Sequence, residues 1–259
     1  MKKFIGCVVF AIVCGTVLFA QNYRDGIYFA QDANFASNQK SQVVIQVKDG
    51  KIASVNWNII SLNAGMQDLK SMVAAGAAPN AVTWVAQAKA AEDFLVSSQN
   101  VNAASVPNGP ANVKPFFDLV KNALKAKAVA KGSYGKDGWF YAEESETDDY
   151  HAKNSVLITV VNGTIVDVLW NGILQGMPAS VNPSKHITSL SNGGKGYPMT
   201  GSKRPWHDQS NRTAEALLKA QDPGAIKVKP DHKPDGISGV TIEINHFIAA
   251  SRQALQSAR

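Results

Sequence analysis

The 259-residue sequence predicts an α+β fold made of two tandem copies of one small domain, each an antiparallel sheet followed by helices. Three observations carry this expectation. Asp25-Gly26-Ile27-Tyr28-Phe29-Ala30 recurs as Asp137-Gly138-Trp139-Phe140-Tyr141-Ala142. The stretch VVIQVKDGKIASVNWN at 43–58 is matched by VLITVVNGTIVDVLWN at 156–171, and Gly50, Ile52, Val55, Trp57 and Asn58 stand opposite Gly163, Ile165, Val168, Trp170 and Asn171 at one constant offset. Chance similarity does not hold a single register over so many positions. In each copy, moreover, apolar residues recur first at every second position and later at every third or fourth, so strands precede helices.

Residues 1–20 read as a secretory signal. Lys2 and Lys3 are followed by an uncharged apolar stretch from 4 to 20 and then by polar Gln21-Asn22, with cleavage expected after Ala20. A single membrane anchor is the alternative, but the stretch is at the lower limit for spanning a bilayer and has no basic stop-transfer residues behind it. The chain's two cysteines, Cys7 and Cys14, both lie in this segment, so a cleaved chain has neither disulfides nor thiolate metal sites. Val13 is bulky for a lipid-attachment signal at Cys14, and Cys7 leaves too short an apolar core before it. The formal charge of +6 falls to +4 without Lys2 and Lys3. That mild excess, with no arginine-rich stripe, suits a small phosphate or an anionic surface and not nucleic acid.

The first copy, residues 21–130, has a strand through Val43, Ile45 and Val47. A tight turn at Asp49-Gly50 and a second strand through Ile52, Val55 and Trp57 follow. Trp84, Ala88, Ala91 and Leu95 lie at helical spacing after Asn80, a candidate cap, and a terminal helix is expected over 116–128. Small and polar residues 131–135 link the copies. In the second copy, residues 131–259, the turn falls at Asn162-Gly163. The helical pattern recurs as Trp206, Ser210, Thr213 and Leu217, and the terminal helix is expected over 244–255.

Just before that last helix stands Asp235-Gly236-Ile237-Ser238-Gly239-Val240-Thr241. Gly236 and Gly239 let the backbone come close to a phosphate, and a turn entering a helix presents unpaired amides to it. An ordinary glycine turn capped by Thr241 is the plain alternative. The segment resembles the Ser-Gly-Ala-Thr motif of the bacterial FMN-binding domain family, which includes subunits C and G of the membrane quinone reductase and Rnf-type electron-transport complexes. Val240 stands where the family has alanine, and Ile242 and Glu243 where small hydroxyl residues often follow. The resemblance covers nearly the whole chain after residue 20, once per copy. The chain is similar in particular to a secreted subgroup with Gly-Tyr-x-Met, Trp and acceptor blocks in this order, here Gly196-Tyr197-Pro198-Met199, Trp206 and 238–241.

What the resemblance implies is an FMN site formed by Asp235, Gly236, Ser238, Gly239, Thr241, Lys195, Tyr197, Met199 and Trp206, with Thr241 in the place of the threonine that carries FMN through a phosphoester. In the family's attachment reaction the hydroxyl attacks the FAD phosphorus on the flavin side and AMP leaves. A separate Mg²⁺-dependent flavin transferase is the catalyst, so this chain is its substrate. The loop 191–199 then sets Lys195 near phosphate and Tyr197 and Met199 against the flat ring, although an exposed surface loop explains it equally well. Trp206 and Trp170 are read mainly as core, because Trp84 and Trp57 repeat them; Lys203 and Arg204 beside Trp206 keep a stacking role open. The first copy has Ala104-Ser105-Val106-Pro107 opposite 238–241 and Leu69-Lys70-Ser71-Met72 opposite the loop, so it lacks the acceptor hydroxyl and reads as degenerate.

The five histidines show no metal-ligand spacing, and no Ser/His/Asp set stands out, so neither catalytic residues nor a metal centre are expected. Glu143, Glu144, Glu146, Asp148 and Asp149 read as a solvated hairpin loop. The expected function is a secreted FMN-binding protein, periplasmic or attached to the cell envelope, that carries electrons or flavin. Its partners are the flavin transferase and membrane or extracytoplasmic redox proteins. The alternative is a non-redox periplasmic or surface interaction protein that keeps the fold without the cofactor.

Overall fold

The structure is a computed structural model that describes residues 23–63, 65, 67–199, 202 and 204–259. The expected signal segment, with both cysteines, lies outside the described residues, as does Lys203. The first half contains strands β1 (Gly26–Gln31), β2 (Gln39–Lys48) and β3 (Lys51–Ser61), followed by helices α1 (Leu69–Ala74), α2 (Val82–Ser98) and α3 (Lys114–Lys125). The second half repeats the order with β4 (Gly138–Glu143), β5 (Ala152–Val161), β6 (Thr164–Leu174), α4 (Lys185–Gly194), α5 (Trp206–Ala220) and α6 (Asn245–Gln256). Each half is a three-stranded antiparallel meander with helices after it.

The recurring residues explain themselves locally. Asp49-Gly50 and Asn162-Gly163 both have positive φ at their two positions, as a two-residue hairpin turn requires. Asp25 and Asp137, which open the repeated hexapeptides, accept hydrogen bonds from both turn amides, at 3.0 and 2.9 Å in the first half and 2.8 Å twice in the second. Gln99 and Gln221 end α2 and α5 in left-handed conformation, and each side chain accepts from the amide of Ile52 or Ile165 at 2.8 Å and donates to its carbonyl at 2.9 Å. The helices cover one face of each sheet around an aromatic core. Trp57 meets Trp84 at 5.3 Å and Phe116 at 5.0 Å; Trp170 meets Trp206 at 5.3 Å and Phe247 at 5.1 Å. The duplication therefore extends to individual side-chain contacts.

Two expectations are corrected. Asn80 does not cap α2, because it lies inside a 3₁₀ turn at Pro79–Ala81 and Ala81 takes the cap position without a side-chain bond. The helix expected over 116–128 starts earlier and ends at Lys125, with Pro115 in its first turn, where the missing amide costs nothing. The segment 131–135 lies between the halves and is fastened to the second: Gly132 and Tyr134 donate their amides to Asn162 and Gly163 carbonyls at 2.8 and 3.1 Å, and a Cβ on Gly132 would fall 2.0 Å from the Gly163 oxygen.

The two sheets meet through the faces that turn away from the helices. Ile60 and Leu62 cluster there with Leu157 and Leu169. Beside them Asp167 accepts from Lys40, Gln42 and Gln31 at 3.2, 2.8 and 3.2 Å, while Gln42 Oε1 accepts from Trp139 and Thr159 of the other half. Asp167, Lys40, Gln42, Gln31, Trp139 and Thr159 thus each have a hydrogen-bond or ion-pair partner across the seam. Among the described residues, no helix is long and apolar enough to cross a membrane.

Candidate functional site

A cavity of about 630 Å³ opens in the second half, within the usual size range of small-molecule pockets. Its inner wall comes from the core: Trp170 on β6 and Trp206 at the start of α5 are 3% and 2% exposed and also line it. Both tryptophans therefore pack the core and face the cavity. Tyr197 and Met199 come from the loop after α4, and Thr241 from the turn before α6. Three blocks far apart in the chain converge on one space.

The turn before α6 is built on glycine. Gly236 and Gly239 have φ of 93° and 78°, and a Cβ on Gly239 would sit 2.7 Å from Arg204 Nε. Thr241 does not cap the helix; Ile244 holds the cap position, with no side-chain cap bond. The Thr241 amide instead donates to Gln209 Oε1 at 2.7 Å, and its Oγ1 lies 3.3 Å from the same oxygen and 3.5 Å from Ser202 Oγ. Gln209 is wholly buried and donates to Ser202 Oγ and the Arg204 carbonyl at 2.8 and 3.0 Å. The turn is thus fastened through one glutamine, which leaves the threonine side chain at the exposed rim. Sequence reasoning missed Gln209 because a glutamine on a helix reads as a solvated position.

Asp235, Gly236, Ser238 and Gly239 shape this turn but are exposed and stand outside the cavity lining. Lys195, expected near the phosphate, does not line the cavity either. The loop it belongs to is not free. Ser191, Asn192 and Gly193 leave helical geometry at the end of α4, and a Cβ on Gly196 would lie 1.9 Å from Ser191 Oγ and 2.2 Å from the Thr188 carbonyl. That packing turns Tyr197 inward.

The buried cation in the cavity lining is Lys185, the first residue of α4 and 4% exposed. Ser184 caps this helix, accepting from the Ile187 amide at 3.1 Å, and Asn171 holds Ser184 at 3.0 Å. Lys185 Nζ lies over the rings of Tyr197, Trp206 and Tyr150, at 4.9, 5.1 and 5.6 Å. Its nearest anion is Asp148 Oδ2 at 3.8 Å. The Asp148 side chain is only 7% exposed and accepts from the amides of Tyr150 and Ala152 and from Asn154 Nδ2, so this member of the acidic run is not in a solvated loop. Burial pushes the Lys185 amine down, with Asp148 opposing it, and pushes the Tyr197 phenol up to about 12, helped by Asp148 and Tyr150.

Beside Lys185, His186 is 3% exposed, and burial pushes it down from 6.5 to about 4. A histidine in the unfolded chain takes up its proton below 6.5 while the folded one stays neutral, so stability falls as the pH drops from 6.5 towards 4. The loss approaches about 3 kcal/mol. Melting temperatures at pH 7 and 4.5 should show a smaller drop for His186→Gln than for the parent protein. Equal drops would mean that this imidazole takes up its proton in the folded state as readily as in the unfolded one.

The first half lacks the matching chemistry. The Lys70 amide donates to Asn58 Oδ1 as the His186 amide donates to Asn171 Oδ1, which sets Leu69 opposite Lys185. Leu69-Lys70-Ser71-Met72 therefore matches the start of α4 and not the loop at 196–199, contrary to expectation. The register of the acceptor turn also shifts. Gly109 donates to the Val106 carbonyl as Val240 does to Ile237, and Asn108 and Gly239 share the positive φ. Pro107 thus stands opposite Ser238, and Pro110 opposite Thr241. The expected lack of a hydroxyl survives the correction. Counted from the paired Trp84 and Trp206, Gln209 has Gln87 as its counterpart, so the glutamine itself recurs. Gln87 is only half-buried, whereas Gln209 is enclosed by the turn it fastens. That recurrence is the sequence signal that could have singled out Gln209.

Ring faces, a thioether, a buried ammonium and a rim hydroxyl form a donor set that fits a flat ligand carrying negative charge, and FMN is such a molecule. Arg204 packs against Gly239 and pairs with Asp208 at 2.8 Å, and Lys233, in the lining, pairs with Asp231 at 3.2 Å. No protein-family profile matches the chain, and no curated protein matches it. Among solved structures, the chain is similar to a protein from Clostridium thermocellum determined by NMR in solution, with 37% identity, 48% of this chain and 92% of that one covered, and a TM-score of 0.37. It is also similar to a protein from Clostridium perfringens in a crystal structure, with 20% identity, 48% and 88% covered, and a TM-score of 0.32.

Proposed function

We propose that this chain is an extracytoplasmic flavin carrier that binds FMN in its second half, with Thr241 as the point of phosphoester attachment. The observation that supports this most is the convergence of Tyr197, Met199, Trp206 and Thr241 on one cavity. Bound FMN supplies the electron chemistry. The protein's own residues bind and shield it. Trp206, Trp170 and Tyr197 offer ring faces, Arg204 and Lys233 offer positive charge, and Gln209 holds the Thr241 backbone with its hydroxyl at the cavity rim. The membrane or extracytoplasmic redox partners and export by residues 1–20 belong to the same proposal, as does attachment by a flavin transferase.

Co-expression with a Mg²⁺-dependent flavin transferase, followed by denaturing electrophoresis, tests the reading. A fluorescent band is the expected result. Colour that is lost on denaturation indicates non-covalent FMN. A chain with no flavin in either state supports the non-redox interaction protein instead.

A further inference from the structure

Lys185 has more donors than the protein uses. Its ammonium carries three N–H groups, yet its nearest anion, Asp148 Oδ2, stands at 3.8 Å, beyond hydrogen-bond distance, and is shared with Asn154, while Oδ1 accepts from two amides. The other close neighbours are the faces of Tyr197, Trp206 and Tyr150, which attract the charge without accepting a full hydrogen bond. The residue nonetheless lines the cavity. A buried ammonium held this way is poised for an acceptor that arrives with the ligand, and one with negative charge gains most in such a poorly hydrated place. The first half has Leu69 at this position, so the ammonium is not a requirement of the fold.

We infer that Lys185 makes the cavity favour the reduced flavin over the oxidised one, by meeting the negative charge that the ring gains on reduction. This rests on the flavin reading above. A neutral ring that accepts two electrons and one proton keeps one net negative charge; an external reductant, dithionite in the test, supplies the electrons and solvent supplies the proton. A cation beside that charge stabilises the product of reduction and leaves the neutral reactant almost unaffected. Asp148 acts in the opposite sense, because its carboxylate offsets part of the Lys185 charge.

The test is the affinity of the full chain for oxidised and dithionite-reduced FMN, together with the midpoint potential of the bound flavin. Lys185→Met should lower reduced-state affinity at least tenfold relative to oxidised-state affinity. For a two-electron couple that is a fall of about 30 mV. Lys185→Arg should stay within about threefold of the parent ratio. Asp148→Asn should move the ratio the other way, and it keeps the claim testable if Lys185→Met does not fold. Equal weakening of both states in Lys185→Met would show Lys185 to be a general anchor, and lower stability with an unchanged ratio would show a packing role; either overturns the inference while the flavin reading stands. A parent chain that binds neither form of FMN overturns both.

Discussion

With alanine in place of Thr241, the chain co-expressed with flavin transferase is expected to lose all flavin that survives denaturation. The Thr241 hydroxyl lies at the exposed rim of the cavity, and the shorter bond from this residue to Gln209, at 2.7 Å against 3.3 Å from the hydroxyl, comes from the backbone amide, which alanine keeps. Because Ile244 and not Thr241 occupies the cap position of α6, the loss of about 1 kcal/mol that follows removal of a helix cap is not expected. Stability should change by no more than about 0.5 kcal/mol. Thr241→Ser keeps the oxygen and should retain part of the attachment. In-gel fluorescence and thermal melts on the same three proteins check both halves of the claim. An alanine variant that still carries covalent FMN would falsify the acceptor assignment.

The largest effect on stability is expected at the paired tryptophans. Trp57→Ala and Trp170→Ala each empty the centre of an aromatic core and should each cost about 3–5 kcal/mol. Against a typical total of about 5–15 kcal/mol, either change leaves a weakened protein. Their effects on flavin should differ. Trp170 also forms a cavity wall, so its removal should lower FMN affinity by more than tenfold, whereas Trp57→Ala should leave the affinity of the folded fraction unchanged. Urea unfolding and fluorescence titration of both variants measure the two effects separately. Equal loss of FMN affinity in the two would mean that binding follows global stability and not the wall of this cavity.

Local signals explain what is readable from the sequence. The meanders are legible because strand alternation and the Asp-Gly and Asn-Gly turns are properties of neighbouring residues. Helices α2, α5 and α6 are legible because their apolar stripes are long. By contrast, α1 has six residues and α4 breaks at Ser191, so neither repeats a stripe often enough to stand out. Asp148 reads as solvated because charged residues usually are, and Lys185 carries no local signal; only the fold brings the two together beside three rings. Lys195 has the look of the site's cation since it lies among glycines next to Tyr197, but the Gly196 contact with Ser191 turns the tyrosine inward and leaves the lysine outside the lining.

The register of the acceptor turn is hidden for a related reason. Matching Val106 to Val240 follows side-chain type, whereas the turn is set by backbone conformation, and the shared positive φ belongs to Asn108 and Gly239. The contact between the sheets has a trace in the continuous apolar run of β5, whose residues are buried on both faces, although the run by itself names no partner surface. The cofactor is not legible from spacing at all. It enters through resemblance at the 235–241 turn, and the cavity beside that turn is what gives it physical support.

Intact mass of the full chain after co-expression with a flavin transferase, followed by peptide mapping, tests the central claim most directly. One FMN per chain, on the peptide that contains Thr241, is the predicted result. Two adducts, a single adduct between residues 23 and 131, or an unmodified chain beside a transferase shown to be active on another substrate would contradict it.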